Sequence, residues 1–197
     1  MATEAEPAGA SEDRLPAPVR RTATILFTDI ARLLRIAEQL SEEDLWRFLT
    51  EHYGIVGDAI LERGGTIDKF MGDATLALFN LPEPLPDHEQ QALHAGLAAR
   101  QAYLALCERW GLDGEDNQLQ VGIGTGEVLA GMLGHPNQHS YSVLGQTVNR
   151  AAQLCSRRHG GFALDATTYD AVRDLVVVEE RQAKWGDPIY VVRDLRW

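Results

Sequence analysis

Ile25-Leu26-Phe27-Thr28-Asp29-Ile30 and Lys69-Phe70-Met71-Gly72-Asp73 are the stretches whose reading decides both fold and chemistry. Each sets an aspartate inside, or directly after, an apolar run that reads as a buried strand. A carboxylate near a core is costly unless it has a partner. Two carboxylates on adjacent strand ends repel one another unless a cation lies between them. Hard divalent cations such as Mg²⁺ prefer oxygen and commonly bind one or two carboxylates plus substrate phosphates. Asp29 and Asp73 are therefore expected to serve metal-assisted phosphate chemistry.

Working outward, residues 22–28 are rich in β-branched side chains and predict a central strand. Ser41-Glu42-Glu43-Asp44 is a helix start, with a capping serine and an acidic first turn. Leu45, Phe48, Leu49, His52, Val56, Ala59 and Ile60 then recur at helical spacing until Gly64-Gly65 ends the pattern. Residues 66–70 and 75–79 predict a hairpin around Gly72, which tolerates the positive φ such a turn requires. Pro82, Pro84 and Pro86 stiffen a loop, and Asp87 is a candidate cap for a second long helix reaching about Trp110. Further strands are expected at 119–124, 128–133, 140–144, 162–164, 176–181 and 189–192, with helices at 146–158 and 166–175. The order β-α-β-β-α-β with additions behind it predicts an α+β fold, a ferredoxin-like sheet covered by helices on one face. Residues 1–20 lack periodicity and read as a disordered tail or linker, leaving 21–197 as the folded domain.

Bulk properties narrow the function. A hydrophobic content of 45% suffices for a sizeable core, and a net charge of −11 argues against a broad nucleic-acid or anionic-membrane surface. A single nucleotide is still compatible, because a local metal and lysine outweigh the global field. No apolar run approaches the ~20 residues of a membrane helix, and residues 1–12 lack the apolar core of a signal peptide. A cytoplasmic protein with reduced, packed Cys107 and Cys155 is expected. The six histidines show no ligand spacing.

Three blocks now carry a resemblance: 26–30 (Leu-Phe-Thr-Asp-Ile), 68–74 (Asp-Lys-Phe-Met-Gly-Asp-Ala) and 141–152 (Tyr-Ser-Val-Leu-Gly-Gln-Thr-Val-Asn-Arg-Ala-Ala). Val121-Gly122-Ile123-Gly124-Thr125-Gly126-Glu127-Val128 adds a fourth. Together they resemble the class III nucleotidyl cyclase catalytic domain, over nearly everything but the tail. The resemblance implies that Asp29 and Asp73, with Ile30 counted beside them, hold two divalent ions, Mg²⁺ or Mn²⁺. It implies that Lys69 and Ser142 read the base, Asn149 positions the ribose and Lys184 contacts the terminal phosphates. A serine hydroxyl can accept from an exocyclic amine, so Lys69 with Ser142 favours ATP over GTP. The sites are completed across a head-to-tail dimer, and a homodimer has two equivalent ones. The implied reaction is ATP to 3′,5′-cyclic AMP and pyrophosphate.

This sequence departs from the family pattern at two places. Gln153 stands four residues after Asn149, where the family carries an arginine that stabilises the transferring phosphoryl group. Losing such a charged contact typically costs ~10²–10³-fold in rate. Arg150 lies about 100° around the helix from Asn149 and does not substitute. The glycine-containing turn after the first aspartate is replaced by Ala31-Arg32-Leu33-Leu34, and Arg32 is a candidate phosphate ligand. A catalytically degenerate domain that binds nucleotide or dimerises is the alternative these departures motivate. A diguanylate-cyclase or polymerase-palm relative is disfavoured, because the turn is Met71-Gly72-Asp73 and not a Gly-Gly-Asp/Glu-Glu-Phe type.

Overall fold

The computed structural model describes residues 17–112, 117–135, 137–156, 159–183 and 186–196. Its centre is β1 (Val19–Ile30), which pairs antiparallel with β3 (Ala74–Phe79) on one side and β4 (Leu119–His135) on the other. β2 (Thr66–Met71) extends the sheet beyond β3. The strand order β2-β3-β1-β4 is the ferredoxin-like arrangement that the element order predicted, and β6 (Phe162–Leu164), β8 (Pro188–Leu195) and β7 (Val176–Gln182) continue it. β5 (Gln138–Leu144) pairs with the far half of β4. β1 begins inside the stretch read as a tail, because Val19 and Arg20 are held in register with Ala130 and Leu129. Residues 1–16 lie outside the described ones.

Alternation along β1 and β3 builds two layers. Leu26 and Ile30, with Ala77 and Phe79, enter the main core under α2 (Glu42–Leu61) and α3 (His88–Arg109). Ala23 and Ile25, with Leu76 and Leu78, point the other way. That second face is also covered, by Val128, Ala130 and Val143 of the β4–β5 arm and by Ala151 of α4 (Gln146–Leu154). Helix cover on one face alone is therefore too simple. α4 lies hard against β4 because position 122 has no side chain: a Cβ there would stand 2.2 Å from the Ala151 carbonyl oxygen. α2 starts as expected, with Ser41 Oγ accepting from the Asp44 backbone N–H at 3.1 Å. Asp87 makes no such cap for α3 and accepts from the Gln91 side chain instead, at 2.6 Å.

The largest difference from the sequence expectation is β4. Residues 119–124 and 128–133 are halves of one 17-residue strand, not two strands around a Thr-Gly-Glu turn. β1 runs past the join without a break, pairing Thr24 with Thr125, Ala23 with Gly126 and Thr22 with Glu127. Thr125 also belongs to a buried polar chain. His88 Nδ1 lies 2.7 Å from Thr24 Oγ1, which lies 2.7 Å from Thr125 Oγ1, itself 2.9 Å from Thr168 Oγ1. The chain ends on Asp165, which caps α5 (Ala166–Val172) by accepting from the Thr168 backbone N–H at 2.9 Å. Burial raises the Asp165 carboxyl above its ordinary range against these hydrogen bonds. A short α1 (Leu33–Ala37) precedes α2, and α4 and α5 both stop before the ends that periodicity suggested. Cys107 and Cys155 are buried, and neither forms a disulfide. Among the described residues no helix is long and apolar enough to cross a membrane.

Candidate active site

The register puts Asp29 one residue beyond the Thr28–Thr75 pair, and Asp73 two residues before Thr75 in the β2–β3 turn. The turn depends on Gly72, whose φ is +64°. Asp29 follows the alternation of Ile25 and Phe27, so it faces the α4 side of the sheet. Half-burial pushes its pKa up to about 6, and the negative charge of Asp73 pushes in the same direction. Cys155, at the C-terminal end of α4, feels both carboxylates: burial first, then Asp29 and Asp73, raise its thiol far above the usual range. A helix C-terminus adds partial negative charge of its own. The site therefore carries negative potential from both carboxylates.

That donor set suits a hard divalent cation. Among the described residues no cluster of three or more His, Cys, Asp or Glu side chains forms a closed metal cage. Two carboxylates leave an open coordination sphere for water and phosphate oxygens, as Mg²⁺ prefers. The Ile30 side chain is 2% exposed and packs in the main core, so only its backbone carbonyl is available as a ligand.

Two residues of α2, which sequence reasoning left as helix positions, grip the acidic turn. The Tyr53 hydroxyl donates to the Gly72 carbonyl, and its ring lies 4.5 Å from that of Phe70, tilted by 33°. The neighbouring His52 ring is fully buried against the Asp73 backbone, short of hydrogen-bond geometry. Burial lowers its pKa to about 4, so the ring is neutral at physiological pH. Helical periodicity marks Leu45, Phe48 and Val56 as core but cannot reveal that a tyrosine beside them reaches a loop carbonyl.

Lys69 and Ser142 stand far apart in sequence, yet the structure brings them together: Lys69 Nζ donates to Ser142 Oγ at 2.7 Å. The contact bridges β2 and β5, two strands that do not pair. Arg32 is exposed and adopts the left-handed region (φ 63°, ψ 42°) at the start of α1. The chain keeps a glycine-like turn there without glycine, at a strain of roughly 1–2 kcal/mol. Asn149 and Gln153 lie four residues apart on the exposed face of α4. Arg150 turns away from them and pairs with Asp187 at 2.9 Å. Lys184 lies outside the described residues.

The model of the adenylate and guanylate cyclase catalytic domain matches residues 15–183. The chain belongs to this family. Its fold agrees with two solved cyclases. The crystal structure of the guanylyl cyclase Cya2 superposes with a TM-score of 0.80 at 30% identity, covering 92% of this chain and 96% of that one. The adenylyl cyclase CyaB from P. aeruginosa gives 0.79 at 25% identity, covering 91% and 97%. Among curated proteins, the uncharacterized protein Rv1318c of Mycobacterium tuberculosis is 32% identical over 169 residues, 84% of this chain. The match spans 29% of that relative's length. The two superposed enzymes differ in the base they act on, so likeness alone does not choose between ATP and GTP.

Proposed function

We propose that this cyclase domain converts ATP to 3′,5′-cyclic AMP and pyrophosphate, at sites completed between two copies of the chain. The observation that carries the reading is Asp29 beside Asp73: burial first, then the charge of Asp73, raises Asp29 to about 6, and a cation there would relieve both. Two divalent ions, Mg²⁺ or Mn²⁺, would supply charge neutralisation of the triphosphate and acidify the ribose 3′-hydroxyl. Asp29, Asp73 and the Ile30 carbonyl would hold them. Lys69 donates to a ring nitrogen of adenine while Ser142 accepts from its exocyclic amine. Asn149 orients the ribose, Arg32 and Lys184 reach the phosphates, and Gln153 offers an amide where a charge would serve better. Positioning of the 3′-oxygen in line with the α-phosphorus supplies the rest.

A shared site is favoured by what the single chain leaves exposed. Asn149 and Gln153 face solvent, and so do the apolar Phe70, Met71 and Leu144, which flank Lys69 and Ser142 in sequence. Apolar surface beside unused polar groups suits a second copy. The test is turnover of ATP, GTP, CTP and UTP at high protein concentration with Mn²⁺ or Mg²⁺. Cyclic AMP is the expected main product, and no cyclic product from any of the four overturns the reading. The exposed amide of Gln153 also supports a second reading, a domain that binds nucleotide with little turnover; tight ATP binding without product is its signature.

The grip of α2 on the acidic turn gives a further expectation. Tyr53→Phe should weaken Mn²⁺ binding by roughly 3–10-fold, the size of one neutral hydrogen bond. Titration calorimetry measures it, and unchanged affinity would show that the turn holds its shape without the hydroxyl.

A further inference from the structure

Asp68 precedes Lys69 on β2, and nothing in the reading above uses it. Its side chain is 0% exposed. Among the described residues neither carboxylate oxygen has a hydrogen-bond donor, although Lys69 Nζ stands 2.9 Å from Oδ2 as an ion pair outside hydrogen-bonding geometry. A buried carboxylate with unmet lone pairs is expensive and needs a reason. Burial raises the nearby Tyr141 phenol, and the Asp68 charge adds to that against the pull of Arg21. Lys69 therefore sits between two fixed acceptors, Asp68 and Ser142, with its side chain still 39% exposed.

We propose that Asp68 is a specificity-determining positioning residue: it clamps Lys69 so that the Lys69–Ser142 pair meets the base as one donor beside one acceptor. The inference rests on the nucleotide-site reading above. An ammonium has three hydrogens and no lone pair. One is given to Ser142, the Asp68 charge holds the ammonium from the other side as an ion pair, and the remaining N–H groups are left for the ligand. Ser142 Oγ, having accepted once, keeps a second lone pair. A fixed donor beside an acceptor complements adenine, which offers an acceptor at N1 and a donor at N6. Guanine presents a donor at N1, which meets the fixed ammonium donor against donor; the Ser142 hydroxyl can still turn to donate to O6, so the held lysine carries the discrimination. An unclamped lysine swings on its four-carbon stem to reach O6, and the discrimination fades. The clamp thus acts through direction rather than through contact with the base.

Two measurements test this on the full chain. The first is kcat and KM for ATP and GTP in the wild type and in Asp68→Asn, which removes the charge at constant size. The ratio of kcat/KM values, ATP over GTP, is expected to fall at least 5-fold, chiefly through KM, while Asp68→Glu retains most of it. Asp68→Ser removes the charge with a smaller side chain, so the result does not hang on one variant folding. The second is acylation of Lys69 by limiting acetic anhydride, read by mass spectrometry against Lys184, the only other lysine in the chain. Lys69 should react several-fold faster in Asp68→Asn and Asp68→Ser than in the wild type. An unchanged nucleotide ratio overturns the specificity role, and unchanged labelling overturns the clamp. A wild type that neither turns over nor binds ATP or GTP overturns the nucleotide-site reading and the specificity role with it. The labelling still decides the clamp in that case.

Discussion

Asp29→Asn is expected to lower cyclase turnover by roughly 10³-fold or more while making the metal-free protein more stable at neutral pH. Both effects have one cause. Burial, then Asp73, raises Asp29 to about 6 from an ordinary value of 3.8. A folded-state pKa above the unfolded value means that the folded state holds the proton more tightly. The stability from that proton is fully present below about 3.8 and is lost as pH rises through about 6. At pH 7.5 the ionised carboxylate therefore works against the fold unless a cation compensates it. Asparagine removes the charge, so the metal-free variant should melt higher than the wild type at pH 7.5, with the gap closing towards pH 4. Adding Mn²⁺ should reverse the order, because ligand bound only to the folded state stabilises it by mass action. Thermal melts across pH, with and without Mn²⁺, read both arms. A variant that melts lower than the wild type in both arms would remove the metal role from Asp29. Asp73→Asn should lose turnover equally but leave Asp29 partly raised, since burial is the larger cause of its shift.

Much of this was legible from local pattern. The strand around Asp29, the helix begun at Ser41 and the hairpin at Gly72 each follow from side-chain period and turn chemistry, and each is in the structure. The Lys69–Ser142 pair was legible only through the family resemblance, because no local rule joins residues 73 positions apart. What escaped was decided by tertiary context. Thr125-Gly126-Glu127 has the composition of a turn, yet β1 continues beside it and threonine hydroxyls from three elements meet there, so the strand runs on. The tail boundary moved for the same reason: Val19 and Arg20 gain strand partners that composition cannot foresee. Tyr53, Cys155 and Asp68 all sit on elements whose existence was expected, but their roles depend on which loop or charge lies opposite. The sequence marks Asp29 as one of two carboxylates at a shared site; its raised pKa has burial as the larger cause, with the charge of Asp73 second.

Gln153→Arg is expected to raise kcat by ~10²–10³-fold, with little change in KM for ATP, because a charge that helps only as the phosphoryl group transfers acts on the transition state. Position 153 is exposed on α4, four residues from the equally exposed Asn149, so an arginine enters without disturbing the core. Arg150 cannot already play the part, since it is tied to Asp187. No gain would move the fault to the Ala31–Leu34 segment, where Arg32 holds a left-handed backbone in place of glycine. The same substitution tests whether the site is shared. A chain carrying both Asp29→Asn and Gln153→Arg has no competent metal half and should be inactive alone. Mixed with wild type, it offers its arginine to the intact Asp29 and Asp73 of the other copy, and one of the two composite sites then has every part. The mixture should exceed the wild-type rate per wild-type chain, in proportion to the fraction of mixed dimers. If each chain instead completed its own site, the inactive partner would add nothing, and the mixture would never exceed the activity of the wild type present.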